Sequence, residues 1–259
     1  LGSGASDADV WACAACGTIP VWTQIGGNEV HVAKPNWNTN YEIVRGLVVL
    51  NSKLYAGIGD TAGEAEVWRY DTTSWTKVAG DGVNSTWDAS FTTPASTTNT
   101  KEYAFLGTFG TSLVAGTGAT PQDAEVWTCA SCDTAPSWSW VGGRDFRSWG
   151  SYQPAYVTSM AVNAGNLYMG TGTTNKHAAI WEYNDSAWTQ VGGGNLNIAS
   201  GSWENYEYVL SMTSYKGDLY AGFGSTADDA DVWKYSGGAW TQVGGTTAAG
   251  ATVNNSWTD

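Results

Sequence analysis

Residues 219–245 read LYAGFGSTADDADVWKYSGGAWTQVGG, and this block decides the fold because it recurs along the whole chain. The other copies are LYAGIGDTAGEAEVWRYDTTSWTKVAG at 54–80, LVAGTGATPQDAEVWTCASCDTAPSWSWVGG at 113–143, LYMGTGTTNKHAAIWEYNDSAWTQVGG at 167–193 and LGSGASDADVWACAACGTIPVWTQIGG at 1–27. The first Trp of each copy falls at Trp11, Trp68, Trp127, Trp181 and Trp233, in steps of 57, 59, 54 and 52 residues. A period of that length holds four strands. Of the 16 Trp, five form this first column and five a second, at Trp22, Trp75, Trp138, Trp188 and Trp240. Five more stand in the connecting links, which leaves Trp140 alone outside the pattern.

Working outward from that block, apolar alternation and turn residues mark four strands per unit: YEYVLSMTSY, LYAGFG, DADVWKY and AWTQVGG. Lys216-Gly217-Asp218 and Ser236-Gly237-Gly238 supply the turns. No segment keeps a helical period. The prediction is an all-β protein, a five-bladed β-propeller of four-stranded antiparallel blades. It forms a single domain over 1–259, with repeat units near 1–53, 54–112, 113–166, 167–218 and 219–259. The first unit starts inside its second strand and the last stops before a next first strand. One blade is therefore expected to be incomplete at the termini, and since Leu1 is not an initiator Met the chain is expected to be a fragment of a longer polypeptide.

Composition removes several classes of function. With 42% hydrophobic and 14% charged residues the chain has ample material for a core. Lys and Arg number 11 against 24 Asp and Glu, and a net charge of -13 repels a phosphate backbone, so nucleic acid is not an expected partner. No apolar run approaches the roughly 20 residues of a membrane span, so no membrane insertion is expected. His31 and His177 are too few for a copper or zinc oxidase site, and no nucleophile elbow or phosphate-binding Gly-Lys-Ser/Thr loop occurs.

Leu54-Tyr55-Ala56-Gly57, Val67-Trp68-Arg69-Tyr70 and Trp75 stand in one order, which Tyr183 with Trp188 and Tyr235 with Trp240 repeat. That order resembles kelch-like propellers, in which a strand ending in Gly-Gly leads to a Tyr strand and then to a Trp on the last strand. Here Ala-Gly-x-Gly replaces the Gly-Gly, so the resemblance is kelch-like and not to a kelch domain proper. The chain also looks like repeats of uncharacterised secreted bacterial proteins and, more distantly, like propeller lectins.

Alternating strand direction puts the loop between the second and third strands on the same face as the long links between blades. Links of about 15 residues tend to be functional. Each carries a Trp among small polar residues: Trp37, Trp87, Trp149, Trp203 and Trp257, with Asn38, Asp88 and Glu204 beside them. An indole offers a flat apolar platform to a sugar while amides and carboxylates take its hydroxyls. The competing reading is that each Trp wedges between blades and meets no ligand.

Acidic pairs precede the first Trp: Asp7 and Asp9, Glu64 and Glu66, Asp123 and Glu125, Asp229 and Asp231, with His177 and Ala179 in the fourth unit. Spacing of two puts both carboxylates on the side of that Trp. Near-identical copies argue for a structural role, in which carboxylates accept backbone N–H bonds. Asp7, Asp9, Asp229 and Asp231 are weak calcium candidates, and no other cofactor is expected. Cys13 with Cys16 and Cys129 with Cys132 occupy two enlarged turns with an intervening blade between them, which suits a local disulfide in each and not a shared zinc. Disulfides imply an oxidising compartment, so a secreted or cell-surface location is expected.

These readings converge on a non-catalytic extracellular recognition module, with glycans or a protein surface as partner and several shallow carbohydrate sites. The alternative is a structural or protein-interaction module of a larger surface protein. A third reading is a glycan-active hydrolase using carboxylates on the loop face.

Overall fold

The structure, a computed structural model, is described for residues 8–27, 43–80, 101–119, 124–143, 154–172, 178–193, 203, 206–224 and 230–245. Two compact units divide the chain: Leu1–Ala119 with Thr128–Ser139, and Thr120–Trp127 with Trp140–Asp259. Among the described residues the regular elements are eighteen β-strands in antiparallel sheets. The all-β class of antiparallel blades read from the repeat is the class found.

In the first unit β1 (Val10–Cys13) pairs with β2 (Trp22–Gly26). β3 (Val44–Leu50), β4 (Lys53–Ile58), β5 (Glu66–Tyr70) and β6 (Trp75–Ala79) form a four-stranded blade in that order. β7 (Tyr103–Phe109) pairs with β8 (Ser112–Gly118). β9 (Glu125–Cys129) and β10 (Trp138–Gly143) are shared between the units. The second unit contains two blades, β11 (Tyr156–Asn163) to β12 (Asn166–Gly172), β13 (Ala179–Tyr183) and β14 (Trp188–Gly193), then β15 (Val209–Tyr215) to β16 (Asp218–Phe223), β17 (Asp231–Ser236) and β18 (Ala239–Gly244).

The predicted turns are where the strands reverse. Lys216 and Gly217 take φ of 53° and 85°, the left-handed pair that a two-residue hairpin between right-twisted strands demands. Blades stack on both faces, so the second strand of a blade is buried on both sides: Tyr55, Ala56 and Ile58 are all fully enclosed. The Ala-Gly-x-Gly signature follows from this crowding. A Cβ on Gly57 would collide with the Ala104 carbonyl on β7, and one on Gly170 would press against Val209 on β15.

Blades are joined by a device that uses the second Trp column. In four blades the ladder slips by one residue at the first Trp: Val67 faces Ala79 while Trp68 faces Lys77, which leaves Val78 as a bulge. The same slip singles out Ile25, Val191 and Val243. A bulged residue has no ladder partner, and the next blade supplies one to Ile25, Val78 and Val191. Trp75 donates its indole N–H to the Ile25 carbonyl at 2.6 Å and Trp138 to Val78 at 2.8 Å. Trp188 donates to Val141 and Trp240 to Val191, both at 2.8 Å. Apolar packing backs these bonds: Val10, Ala56, Ile58, Trp68 and Trp75 share one core cluster of the first unit.

Candidate functional site

The inner acid of each described pair is hydrogen-bonded within its own blade. Glu66 is 2% exposed; it accepts the Trp68 indole N–H at 2.7 Å and pairs with Lys77 Nζ at 2.7 Å. Glu125 accepts the Trp127 indole at 2.9 Å. Asp231 accepts from the Tyr206 hydroxyl and from Gln242 Nε2, and Trp233 donates to that same hydroxyl at 3.3 Å. Asp9 accepts from Gln24 Nε2 at 2.8 Å. A buried carboxylate needs donors; the first Trp supplies one to Glu66 and to Glu125, and the residue opposite that Trp in the ladder supplies one to Glu66, Asp231 and Asp9. The outer acid plays the part foreseen for it: Glu64 Oε2 accepts the backbone N–H groups of Asp60 and Thr61 at 3.2 and 3.1 Å. Asp7, Asp123 and Asp229 lie outside the described residues. Among the described residues no three His, Cys, Asp or Glu side chains converge as a metal site.

Of the link residues, Trp37, Trp87, Trp149, Trp257, Asn38, Asp88 and Glu204 lie outside the described residues, as do His31 and His177. Trp203 is described. It packs against Phe223, Trp240 and Trp233, with ring centroids 4.6, 5.0 and 5.7 Å away. Both disulfides are formed, Cys13–Cys16 and Cys129–Cys132. The second closes a loop whose Cys132 and Asp133 carbonyls accept Arg69 Nη1 at 3.0 and 2.5 Å. No helix among the described residues is long and apolar enough to cross a membrane.

Polar chemistry not committed to a blade core gathers at the link end of the first unit. Register brings the start of β3, the end of β4 and the start of β5 together there, since Val44 faces Ile58 and Ile58 faces Glu66. Arg45 is the extra residue of a bulge between Val44 and Gly46, and bulges re-aim side chains. Its guanidinium pairs with Asp60, reaches the Gly59 carbonyl at 3.4 Å and lies 4.8 Å from the centre of the Tyr103 ring. The Gly59–Ala65 loop that carries Asp60 is held by Glu64 and by the Lys101 carbonyl, which accepts from Gly63 and Ala65 at 3.0 and 3.2 Å. Arg45 and Asp60 keep 34% and 25% of their side chains in solvent. The result is a positioned guanidinium–carboxylate pair at a solvent-facing edge, capable of donating to and accepting from a polyhydroxylated ligand.

Sequence reading missed this pair because it looked for what recurs. The bulged position holds Arg45 in β3 but Thr158 in β11 and Leu210 in β15. A lone charged residue at a place the repeat leaves uncharged is the signal that was there to find.

No family model matches the chain, and no curated protein matches it. Solved structures do. One is a GH43 glycoside hydrolase engineered for endo-xylanase and exo-arabinofuranosidase activity, at 14% identity and a TM-score of 0.42, the match covering 77% of this chain and 40% of that one. Another is an α-L-arabinofuranosidase from Clostridium thermocellum, at 13% identity and a TM-score of 0.46, covering 74% of this chain and 68% of the other. A third is an exo-1,5-α-L-arabinanase from a bovine ruminal metagenomic library, at 8% identity and 0.44, covering 78% and 72%. The chain thus spans less than half the length of the first of these. All three are glycoside hydrolases and none is a kelch-like or lectin propeller. The kelch-like and lectin-like resemblance is corrected accordingly, and with it the expectations of a non-catalytic recognition module and of a purely structural or protein-interaction module. The physical reason lies in the repeat itself: the second-column Trp behind the resemblance is spent on the joint between blades, so it reports architecture and not activity.

Proposed function

We propose that the protein is carbohydrate-active, taking a saccharide at the link end of its first unit and hydrolysing a glycosidic bond there. The observation that carries this reading is the Arg45–Asp60 pair, aimed by a bulge and held against Tyr103. Two links end beside it in the chain: the one bearing Trp37 and Asn38 runs to Val44, next to Arg45, and the one bearing Trp87 and Asp88 runs to Tyr103. In the proposed arrangement Arg45 and Asp60 take sugar hydroxyls, the link Trp supply stacking faces, Glu64 holds the loop, and Asp60 is one of the two carboxylates that acid–base work needs. The two disulfides support an oxidising, extracellular setting for such a protein.

Titration calorimetry and release of reducing ends on arabinan, arabinoxylan, xylan and cello-oligosaccharides test the proposal, binding and cleavage being read separately. Asp60→Asn and Arg45→Lys are expected to weaken binding at least tenfold, with melting temperatures within a few degrees of the parent. An inert parent across that panel, or binding that ignores both variants, overturns it.

A further inference from the structure

We propose that the first unit holds a binding site for one buried water molecule, where Tyr55 and Arg69 of the β3–β6 blade meet the Cys129–Cys132 loop. The argument starts from two enclosed polar atoms. Tyr55 is fully buried, and neither its hydroxyl nor Arg69 Nε has a hydrogen-bond partner in the protein. Buried polar groups are answered by a protein atom, an ion or an ordered water, and here no protein atom does so.

The β11–β14 blade of the second unit shows what answers this hydroxyl elsewhere. Tyr168 faces Glu182 across the ladder as Tyr55 faces Arg69. The Tyr168 hydroxyl donates to Glu182 Oε1 at 3.0 Å, and Asn166 Nδ2 donates to the same oxygen. With Arg69 in the place of that glutamate the acceptor is gone, because a guanidinium only donates. Two donors, the Tyr55 O–H and the Arg69 Nε–H, then stand on directly opposed residues, whose Cβ atoms in such a ladder lie about 5 Å apart. They call for an acceptor.

The loop brings the rest of the site. Arg69 Nη1 donates to the Cys132 and Asp133 carbonyls at 3.0 and 2.5 Å, which holds Asp133 beside the blade. Asn51 Nδ2, in the turn between β3 and β4, donates to Asp133 Oδ2 at 3.5 Å. All four residues belong to one compact unit. Burial pushes the Tyr55 phenol above its usual pKa, with Arg69 opposing the rise and Asp133 adding to it, so both charges act on the hydroxyl. Charge decides between water and an anion. Arg69 and Asp133 offset each other, so a halide would bring an unbalanced charge into an enclosed place, at far greater cost than a neutral ligand. A water accepts from Tyr55 and Arg69 and donates to the Asp133 carboxylate. That makes three bonds, the usual complement of a buried water.

Urea unfolding reads the bridge by its sign. If the Tyr55 hydroxyl were bare, Tyr55→Phe would remove a costly group and raise the folding constant. With the hydroxyl bonded to water, the same variant is expected to lower that constant about fivefold. Tyr168→Phe, which deletes the bond to Glu182, is the control and is expected to fall by a similar factor. A high-resolution crystal structure of the parent grown in bromide supplies the second readout and needs no variant. It is expected to show a water within hydrogen-bonding distance of both Tyr55 Oη and Arg69 Nε, with no anomalous bromide signal there. A gain of stability in Tyr55→Phe overturns the proposal. So do a bromide peak at the site, and a structure in which the two atoms share no water.

Discussion

The indole N–H of Trp68 donates to the Glu66 carboxylate 2.7 Å away, two residues back on the same strand. Lys77, opposite Trp68 in the ladder, completes the clamp from the other side. Glu66→Ala strands an indole and an ammonium around a space left by a buried charge, and is expected to cost about 3–4 kcal/mol in urea unfolding. Glu66→Gln keeps one acceptor and is expected to cost about 1–2 kcal/mol. An alanine variant as stable as the parent would show that the clamp contributes nothing.

Trp75 separates the hydrogen-bond and packing parts of the blade joint. Trp75→Phe deletes the bond to the Ile25 carbonyl while leaving an aromatic ring, for an expected loss of about 1 kcal/mol. Trp75→Ala empties a site packed against Val10, Ile58 and Trp68, for about 3–5 kcal/mol. Equal losses in the two variants would mean that packing is not what the indole supplies.

Much of this was legible in the repeat, and the reasons are physical. The strand at 231–236 was visible because DVWKY alternates, and the hairpin after β15 because Lys216-Gly217 is a turn pair. Paired carboxylates beside Trp pointed to a structural role because a catalytic centre is not copied four times. The bulges were invisible. WTQVGG carries no residue type that demands one, and the slip at Val191 arises from the fit between strands. For the same reason the bonding role of the second Trp column could not be seen, since its acceptor is a backbone carbonyl some fifty residues away. Arg45 was passed over because its importance depends on Asp60 and Tyr103, which only the folded chain brings beside it.

The two disulfides should differ in access. Cys16 is exposed, whereas Cys129 and Cys132 are buried and Arg69 braces the loop through its carbonyls. With dithiothreitol under native conditions, alkylation followed by mass measurement should mark Cys13 and Cys16 well before Cys129 and Cys132. Closing so short a loop stabilises by only about 2 kcal/mol in the chain-entropy account, so the protein should stay folded when the first bridge opens. Simultaneous labelling of all four would contradict this order.

Asp71 makes the turn after β5 sensitive to acid. Its carboxylate accepts the Thr73 hydroxyl at 2.8 Å and the backbone N–H groups of Ser74 and Thr73 at 2.8 and 3.0 Å, which together hold its pKa well below the usual carboxylate range. A depressed pKa contributes stability above the unfolded value, near 4, that is lost as pH falls towards the folded one. Asn184 makes the same turn in another blade, donated to by Ser186 and Ala187. Asp71→Asn should therefore narrow the difference in urea midpoint between pH 5 and pH 2, leaving the pH 5 midpoint close to the parent's. An unchanged difference would mean that Asp71 is not a source of acid lability.

Thr72 sits in that same turn at φ 78°, in the left-handed region that a β-branched residue enters only under strain. Asp185 holds the matching place after β13, at φ 73°. Relieving about 1–3 kcal/mol of strain outweighs the entropy that glycine adds to the unfolded chain, about 0.5–1 kcal/mol. Thr72→Gly should then stabilise the protein by about 1 kcal/mol. Thr73→Gly is the contrast: Thr73 itself has no positive φ, and its hydroxyl donates to Asp71, so the substitution should destabilise. Opposite signs in thermal melts of two variants one residue apart would locate the strain at Thr72, and matching signs would remove it.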